Sequence, residues 1–224
     1  SLVPSLPVAG LPETLDYKLG ERARTLEGLS VAEEGELTIG VYDGNTQIAE
    51  AGPLLIRDGQ YSGYWGDLHG QSGESIGIGA SREYFTFARE MSFLDVSSHQ
   101  ANDFQVNNAF WKHLNNLTAE FHQDHRFVTF PGYEWSGNTA VGGDRNVFFR
   151  TEGRQIHRSS HALLPDRSDL DTDAPDARQL FEKLEGEDCV VFAHVGGRYA
   201  GMTYAHASRP PWRCTPPGAP SNGC

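Results

Sequence analysis

Cysteine, methionine and basic residues are scarce in this 224-residue chain. It holds three cysteines, two methionines, and 18 Lys and Arg against 30 Asp and Glu, which gives a formal net charge of −12. Cys189, Cys214 and Cys224 form no CxxC pair, so the sequence supports neither a disulfide framework nor a thiolate zinc site. The acidic excess disfavours nucleic acid and anionic membrane surfaces as partners, because both carry negative charge.

Long apolar runs and several catalytic signatures are also missing. No stretch approaches the roughly 18–20 apolar residues of a membrane span, and no signal-peptide pattern opens the chain. We therefore expect a soluble protein, cytoplasmic or periplasmic, without a membrane partner. The glycine-rich segment 72–81 lacks the GK[ST] ending of a phosphate-binding loop, and no GxSxG elbow is present.

The two parts of the chain differ in pattern. Short alternating runs around the turn Asp43-Gly44-Asn45 predict a β-rich lead-in segment for residues 1–60. Across 61–206, strand-like runs such as FLDVSSH and CVVFAHV alternate with amphipathic helical patterns, which is typical of βαβ units in a parallel sheet or barrel. A polar, acidic loop over roughly 151–175 interrupts this pattern, and a proline-rich tail, 207–224, ends it.

Three histidines and one glutamate occupy equivalent places at the ends of predicted strands. His69 follows YWGDL, and His99 follows FLDVSS. Glu134 follows RFVTFPGY, and His194 lies within CVVFAHV. In a parallel α/β barrel these strand ends converge on one face, where three imidazoles and a carboxylate suit a divalent metal such as Zn²⁺, Mn²⁺ or Fe²⁺. Each residue alone is more typical of a structural role, so the hypothesis depends on their joint placement.

Further polar residues lie near these four. Asp67, Gln71 and Asp144 are close enough in sequence to complete a ligand shell or to serve a second ion, although Asp67 could equally hold a loop. Arg145 or Arg198 could bind substrate and stabilise an anionic transition state, with a surface salt bridge as the alternative role for either.

Four motifs together resemble those of a known family. YWGDLHGQSGES, FLDVSSHQANDF, FPGYEWSGNT with GGDRNVFF, and FAHVGGRYA are similar to successive motifs of PHP-related metallohydrolases, a family that includes carbaryl-hydrolase-like enzymes and many members of unknown function. The resemblance covers about residues 60–206. It implies a distorted (β/α)7 barrel with two or three metals at the strand C-termini, here only in part and preceded by the β-rich segment.

The resemblance also assigns roles to single residues. His69 matches the first histidine of the family's H-x-H motif, and Gln71 stands in the place of the second. His99 and His194 match later histidine ligands, and Glu134 matches a carboxylate that bridges two metals. Asp144 stands where these proteins often place another histidine, and it or Asp67 would orient a ligand or shuttle a proton.

The expected function is therefore metal-dependent hydrolysis of a small ester, carbamate or phosphoester. The alternative is a catalytically incomplete fragment or a non-catalytic binding module, because the Asp-x-His motif of the family's late strands has no match here. The codons permitted by Trp212–Cys224 include, in another frame, EVHSAWGTFEWL, which resembles the family's continuation. We accordingly expect the tail from about Ala207 to be read out of frame.

Overall fold

A computed structural model describes residues 1–21, 24–59, 63–194 and 212–214 of the chain. Two compact units are present, Ser1–Gly63 and Tyr64–Cys224. Across the described ranges, none of the helices combines the length and the apolar character that crossing a membrane requires.

The first unit is built on a three-stranded antiparallel sheet. Its strands, in spatial order, are β1 (Leu2–Pro4), β2 (Gly35–Asp43) and β3 (Thr46–Ile56). The β2–β3 hairpin turns at Gly44, whose positive φ of 55° is accessible to glycine at little cost. Leu37 is the one hydrophobic residue that the described part of this unit buries, so the unit has little core.

The second unit contains two small sheets of different type. The parallel sheet consists of β4 (Gly66–Gly70), β5 (Val96–His99) and β6 (Val128–Thr129). The antiparallel sheet has the spatial order β10–β9–β8–β7, formed by β7 (Gly132–Trp135), β8 (Arg145–Phe149), β9 (Cys189–Ala193) and β10 (Trp212–Cys214). A parallel bridge between Asn102 and Glu134 joins the segment after β5 to β7. This bridge brings the ends of the two sheets together.

The described part of the second unit contains three α-helices, which are α1 (Ser81–Glu90), α2 (Asn108–Phe121) and α3 (Ala177–Leu184). The side chain of Asn107 caps α2 by accepting from the backbone N–H of Phe110 at 2.8 Å. The carboxylate of Asp103 accepts from the backbone N–H groups of Ser136 and Ser159, which ties two loops to the short 3-10 turn that precedes α2.

Among the residues of this unit that the structure describes, two hydrophobic clusters form the core. In the larger one, fully buried Trp135 of β7 shares a cluster with Leu180 and Leu184 of α3. In the smaller one, the rings of Phe85 from α1 and Phe121 from α2 stack with centroids 5.5 Å apart. Full burial of each such side chain contributes about 1.5–3 kcal/mol, so these clusters hold the helices against the sheets that carry the polar residues.

The expectation of a (β/α)7 barrel, even a partial one, is wrong. Only β4, β5 and β6 are parallel, and the described residues form three small sheets rather than a closed barrel. A parallel connection needs a crossover of about a dozen residues or more, whereas β7 reaches β8 through nine residues, 136–144, that hold one 3-10 turn. These two strands therefore pair as an antiparallel hairpin.

The cysteines and the C-terminal tail can also be compared with the sequence expectations. Cys189 is buried in β9 and disulfide-bonded, which the odd, widely spaced cysteines did not predict. The tail expected to be out of frame lies outside the described residues except for β10, whose backbone pairs with β9.

Candidate metal centre

Three side chains with metal-ligand chemistry converge where the two sheets of the second unit meet. His69 lies near the end of β4, Glu134 lies in β7, and His194 follows the last residue of β9. The backbone N–H of Glu134 donates to the carbonyl oxygen of Ala101 at 3.0 Å, and that of His194 donates to the carbonyl oxygen of Asp144 at 3.0 Å. Backbone hydrogen bonds thus fix two of the three ligand positions.

The distances within this cluster suit a shared ion. The Nε2 atom of His69 lies 3.3 Å from Oε2 of Glu134, and the ring centroids of His69 and His194 are 4.2 Å apart. One ligand atom from each of the three residues lies within 4.8 Å of the other two. Two ligands bound tetrahedrally at about 2.1 Å from one Zn²⁺ are about 3.4 Å apart. The His69–Glu134 separation is close to that value.

The electrostatics of the cluster also favour a cation. Burial, together with the nearby charges of Asp144 and Asp103, raises the pKa of Glu134 to about 7. Burial lowers the pKa of His69, and so does the proximity of His194. A divalent cation would stabilise both the ionised carboxylate and the neutral imidazoles, which are the forms that bind metals. The donor set and its environment therefore fit a metal such as Zn²⁺, Mn²⁺ or Fe²⁺.

His99, the fourth strand-end residue, lies outside this cluster. Its ring is 2% exposed and packs edge-on against Tyr84 and Phe110, with centroids 5.6 and 6.2 Å away. Its Nε2 lies 2.9 Å from the hydroxyl of Ser72, while its Nδ1 has no hydrogen-bond partner in the described part of the chain. Burial lowers the pKa of His99 to about 4, so this ring is neutral at physiological pH.

Comparison with known families places this chain in one of them. The family described as "Protein of unknown function (DUF3604)" matches residues 69–210, well over half of the chain. The chain belongs to the DUF3604 family. The match begins at His69 and includes Glu134 and His194, so all three clustered residues belong to the family region.

A curated relative of this DUF3604 chain is itself described as uncharacterised. An uncharacterised protein of Chlamydia pneumoniae is 30% identical over 91 residues, which are 39% of this chain and 14% of that protein. The chain thus spans about a seventh of the length of that curated relative. No solved structure matches the chain.

Two other predicted site residues of the DUF3604 chain are engaged by their neighbours. The amide nitrogen of Gln71 donates to the carbonyl oxygen of Gln100 at 2.6 Å, and its oxygen accepts from the hydroxyl of Ser75 at 2.5 Å. The carboxylate of Asp67 accepts from the backbone N–H of His69 at 2.9 Å and from the hydroxyl of Tyr84 at 3.1 Å. Asp67 thereby holds the end of β4, and Gln71 holds the loop that follows β4.

The remaining predicted residues occupy different surroundings. Asp144 precedes β8, accepts the N–H of His194 with its carbonyl oxygen, and raises the pKa of Glu134 by its charge. Arg145 pairs with Trp135 across the β7–β8 ladder, whereas Glu134 pairs with the next residue of β8. Because strand side chains alternate between faces, Arg145 lies on the opposite sheet face from Glu134. Arg198 lies outside the described residues.

The structure adds three polar residues that the sequence analysis did not consider. Asn146 pairs with Glu134 across the ladder, and its side-chain amide lies 3.0 Å from Nδ1 of His69. Asn102 opposes the rise in the pKa of Glu134 by a hydrogen bond, and Gln100 contacts the amide of Asn146. Asn146 could have been identified from the sequence, because it is the one amide side chain in the strand RNVFF, where a buried polar side chain needs a partner.

Proposed function

We propose that this DUF3604 chain binds a divalent metal through His69, Glu134 and His194 and acts as a metal-dependent hydrolase of a small ester, carbamate or phosphoester. The observation that carries the proposal is the approach of the three donor atoms to within 4.8 Å of one another. Three protein ligands are the usual number in catalytic zinc sites, which leave a further position open. The resemblance of the motifs to PHP-related metallohydrolases supports the same chemistry.

The surrounding residues have roles consistent with hydrolysis. A bound divalent cation supplies Lewis acidity, which activates a water molecule and polarises the carbonyl or phosphoryl oxygen of a substrate. The side chain of His69 is 40% exposed, so solvent and a small substrate have access to the cluster. Asp144, whose charge acts on Glu134, is a candidate to accept a proton from a water molecule at the site. Asp67 acts by holding His69 in place.

A binding module without turnover is the second candidate. It is favoured by the positions of Gln71 and His99, because neither belongs to the three-residue cluster. A site with fewer ligands than the di- or trinuclear centre that the resemblance implies could bind one metal and still fail to position a substrate, and errors near 1 Å can cost about 100-fold in rate.

A hydrolase assay separates the two candidates. The purified chain would be given Zn²⁺, Mn²⁺ or Fe²⁺ and then tested with p-nitrophenyl esters, a p-nitrophenyl carbamate and bis-p-nitrophenyl phosphate. We expect metal-dependent release of p-nitrophenol that Glu134→Gln abolishes and that His113→Ala, an exposed histidine on α2, leaves intact. Metal binding without turnover of any of the three substrate classes would contradict the hydrolase and favour the binding module.

A further inference from the structure

A chain of buried side-chain amides leads to His69 from the interior of the second unit. Gln100 is fully buried and Asn146 is 3% exposed. The side-chain atom of Asn146 that is assigned as its nitrogen lies 3.0 Å from the amide of Gln100 and 3.0 Å from Nδ1 of His69. The direction of the hydrogen bonds from Gln100 through Asn146 to His69 decides which ring nitrogen of His69 carries the proton.

The neighbours of Gln100 determine how its amide is oriented. One orientation places its nitrogen 2.9 Å from the carbonyl oxygen of Tyr133 and its oxygen 3.3 Å from the N–H of Tyr133, so both atoms find partners. In the opposite orientation the side-chain oxygen of Gln100 lies 2.9 Å from the carbonyl oxygen of Tyr133, and its nitrogen lies 3.3 Å from the backbone nitrogen of Tyr133. In that orientation the nitrogen of Gln100 donates to the hydroxyl of Ser98 at 3.0 Å and to the carbonyl oxygen of Val147 at 3.3 Å, and its oxygen accepts from Asn146 at 3.0 Å. Because a buried carbonyl facing another acceptor at 2.9 Å is costly, the first orientation is favoured.

That orientation of Gln100 determines how the amide of Asn146 is turned and which ring nitrogen of His69 is protonated. The nitrogen of Gln100 then points its second N–H at the assigned nitrogen of Asn146, so the amide of Asn146 must turn over as well and place its oxygen, an acceptor, at this position. The same oxygen faces Nδ1 of His69, which must therefore be the protonated ring nitrogen. The Nε2 atom is left with its lone pair directed toward Glu134, 3.3 Å away, a contact between two acceptors that is unfavourable without a cation and that a bound cation would relieve.

We propose that Asn146, oriented by Gln100, is a positioning residue that holds His69 in its Nδ1-protonated form and so presents Nε2 as the ligand atom. The tautomer belongs to the metal-free protein, and only its consequence for metal affinity rests on the proposed function. Metal-bound histidines commonly donate their second ring N–H to a carbonyl or carboxylate oxygen, and loss of such a partner costs about 10–100-fold in affinity.

The test is the tautomer of His69 in metal-free protein. Long-range ¹H–¹⁵N correlation spectra of chelator-treated, ¹⁵N-labelled chain at pH 8 distinguish protonated from unprotonated ring nitrogens. The signals of His69 are identified by their absence in His69→Gln. We expect a protonated Nδ1 and an unprotonated Nε2 in the wild-type chain, and a protonated Nε2 would overturn the proposal.

Two substitutions at Asn146 separate positioning from mere packing. Asn146→Asp keeps an acceptor oxygen facing His69, so the Nδ1-protonated form should persist. Asn146→Leu keeps similar bulk but removes the acceptor, so the population should shift toward the Nε2-protonated form, which can donate to Glu134. An unchanged tautomer in a folded Asn146→Leu variant would also overturn the proposal, and the wild-type spectrum decides the question if this variant does not fold.

Zinc titration of the same proteins supplies the second readout. We expect Asn146→Leu to weaken binding about 10–100-fold and Asn146→Asp to retain it. Equal affinity in wild type and Asn146→Leu would refute the positioning role. A wild-type chain with the expected tautomer but no zinc affinity would contradict the proposed function while leaving the tautomer assignment standing.

Discussion

Replacing Arg158 by methionine should remove a large part of the stability of the second unit. Arg158 is fully buried, and its guanidinium donates to the carbonyl oxygen of Val106 at 2.8 Å, to Asp169 at 2.8 Å and to Asn108 at 2.7 Å. Burial alone would raise the pKa of Asp169, but hydrogen bonds from Arg158 and its other neighbours lower it overall, so the carboxylate is ionised. Methionine occupies similar space and donates nothing.

The size of the loss follows from these unpaired groups. Removing one partner of a buried ion pair costs about 3–5 kcal/mol, and we expect the lower end because the side chain of Asp169 is 18% exposed. For a unit of this size, about 3 kcal/mol corresponds to a fall in Tm of roughly 6–12 °C. Urea unfolding followed by tryptophan fluorescence reports the change, since Trp111 and Trp135 are buried in the same unit.

Arg178 provides a matched control for this experiment. Its side chain is 74% exposed and pairs with Glu182 at 3.1 Å on the surface of α3. Arg178→Met should therefore cost less than about 1 kcal/mol. If Arg158→Met loses no more stability than Arg178→Met, the buried hydrogen bonds of Arg158 to Val106, Asn108 and Asp169 do not stabilise the second unit.

Three further predictions concern the interior of the second unit and its pH response. A Cβ on Gly132 would lie 2.6 Å from the carbonyl oxygen of Val147, so Gly132→Ala should cost about 1–3 kcal/mol in urea unfolding, whereas Gly63→Ala, in open space, should cost almost nothing. Trp135→Phe leaves a buried backbone carbonyl without its indole donor and should lower the free energy of unfolding by about 1–3 kcal/mol, measured in the same way. Burial raises the pKa of Asp103 from 3.8 to about 6. The folded chain then keeps the proton of Asp103 to higher pH than the unfolded chain does. The contribution of this group to stability, present below pH about 4, is therefore lost as the pH rises to about 6. An NMR titration midpoint near 4 for the carboxyl carbon of Asp103 would refute the raised pKa.

The positions of the site residues along the chain were visible in the sequence. Each of His69, Glu134 and His194 follows or ends an apolar run, and the structure places all three at or near strand ends. The helical spacing of Leu114 and Leu117 likewise falls within α2, where both side chains are buried. Local periodicity records such features directly because it reflects which face of an element is buried.

The pairing of the strands could not be inferred in the same way. His99 ends an apolar run as His69 does, yet its ring packs among aromatic side chains away from the cluster. Its place at a strand end is a local property, whereas its surroundings depend on register and on the neighbouring strand. The antiparallel β7–β8 hairpin brings Asn146 opposite Glu134, a contact that the expected parallel barrel would not have produced.

The sequence also does not show which polar residues pair with each other over long range. His161 lies in the acidic loop that the sequence marks as polar, but its ring is 4% exposed. Its two nitrogens lie 2.7 Å from Asp173 and 3.0 Å from Asp169. The sequence shows that these residues are polar, but only the fold determines which of them become partners and are buried together.

Metal content of the purified chain tests the central claim most directly. After incubation with Zn²⁺ and exhaustive dialysis, mass spectrometry should find about one equivalent of zinc in wild type and in His113→Ala. It should find almost none in His69→Ala and His194→Ala, because each of these variants removes one of the three converging ligands. Zinc-free wild type, or equal zinc in all four proteins, would contradict a metal centre at His69, Glu134 and His194.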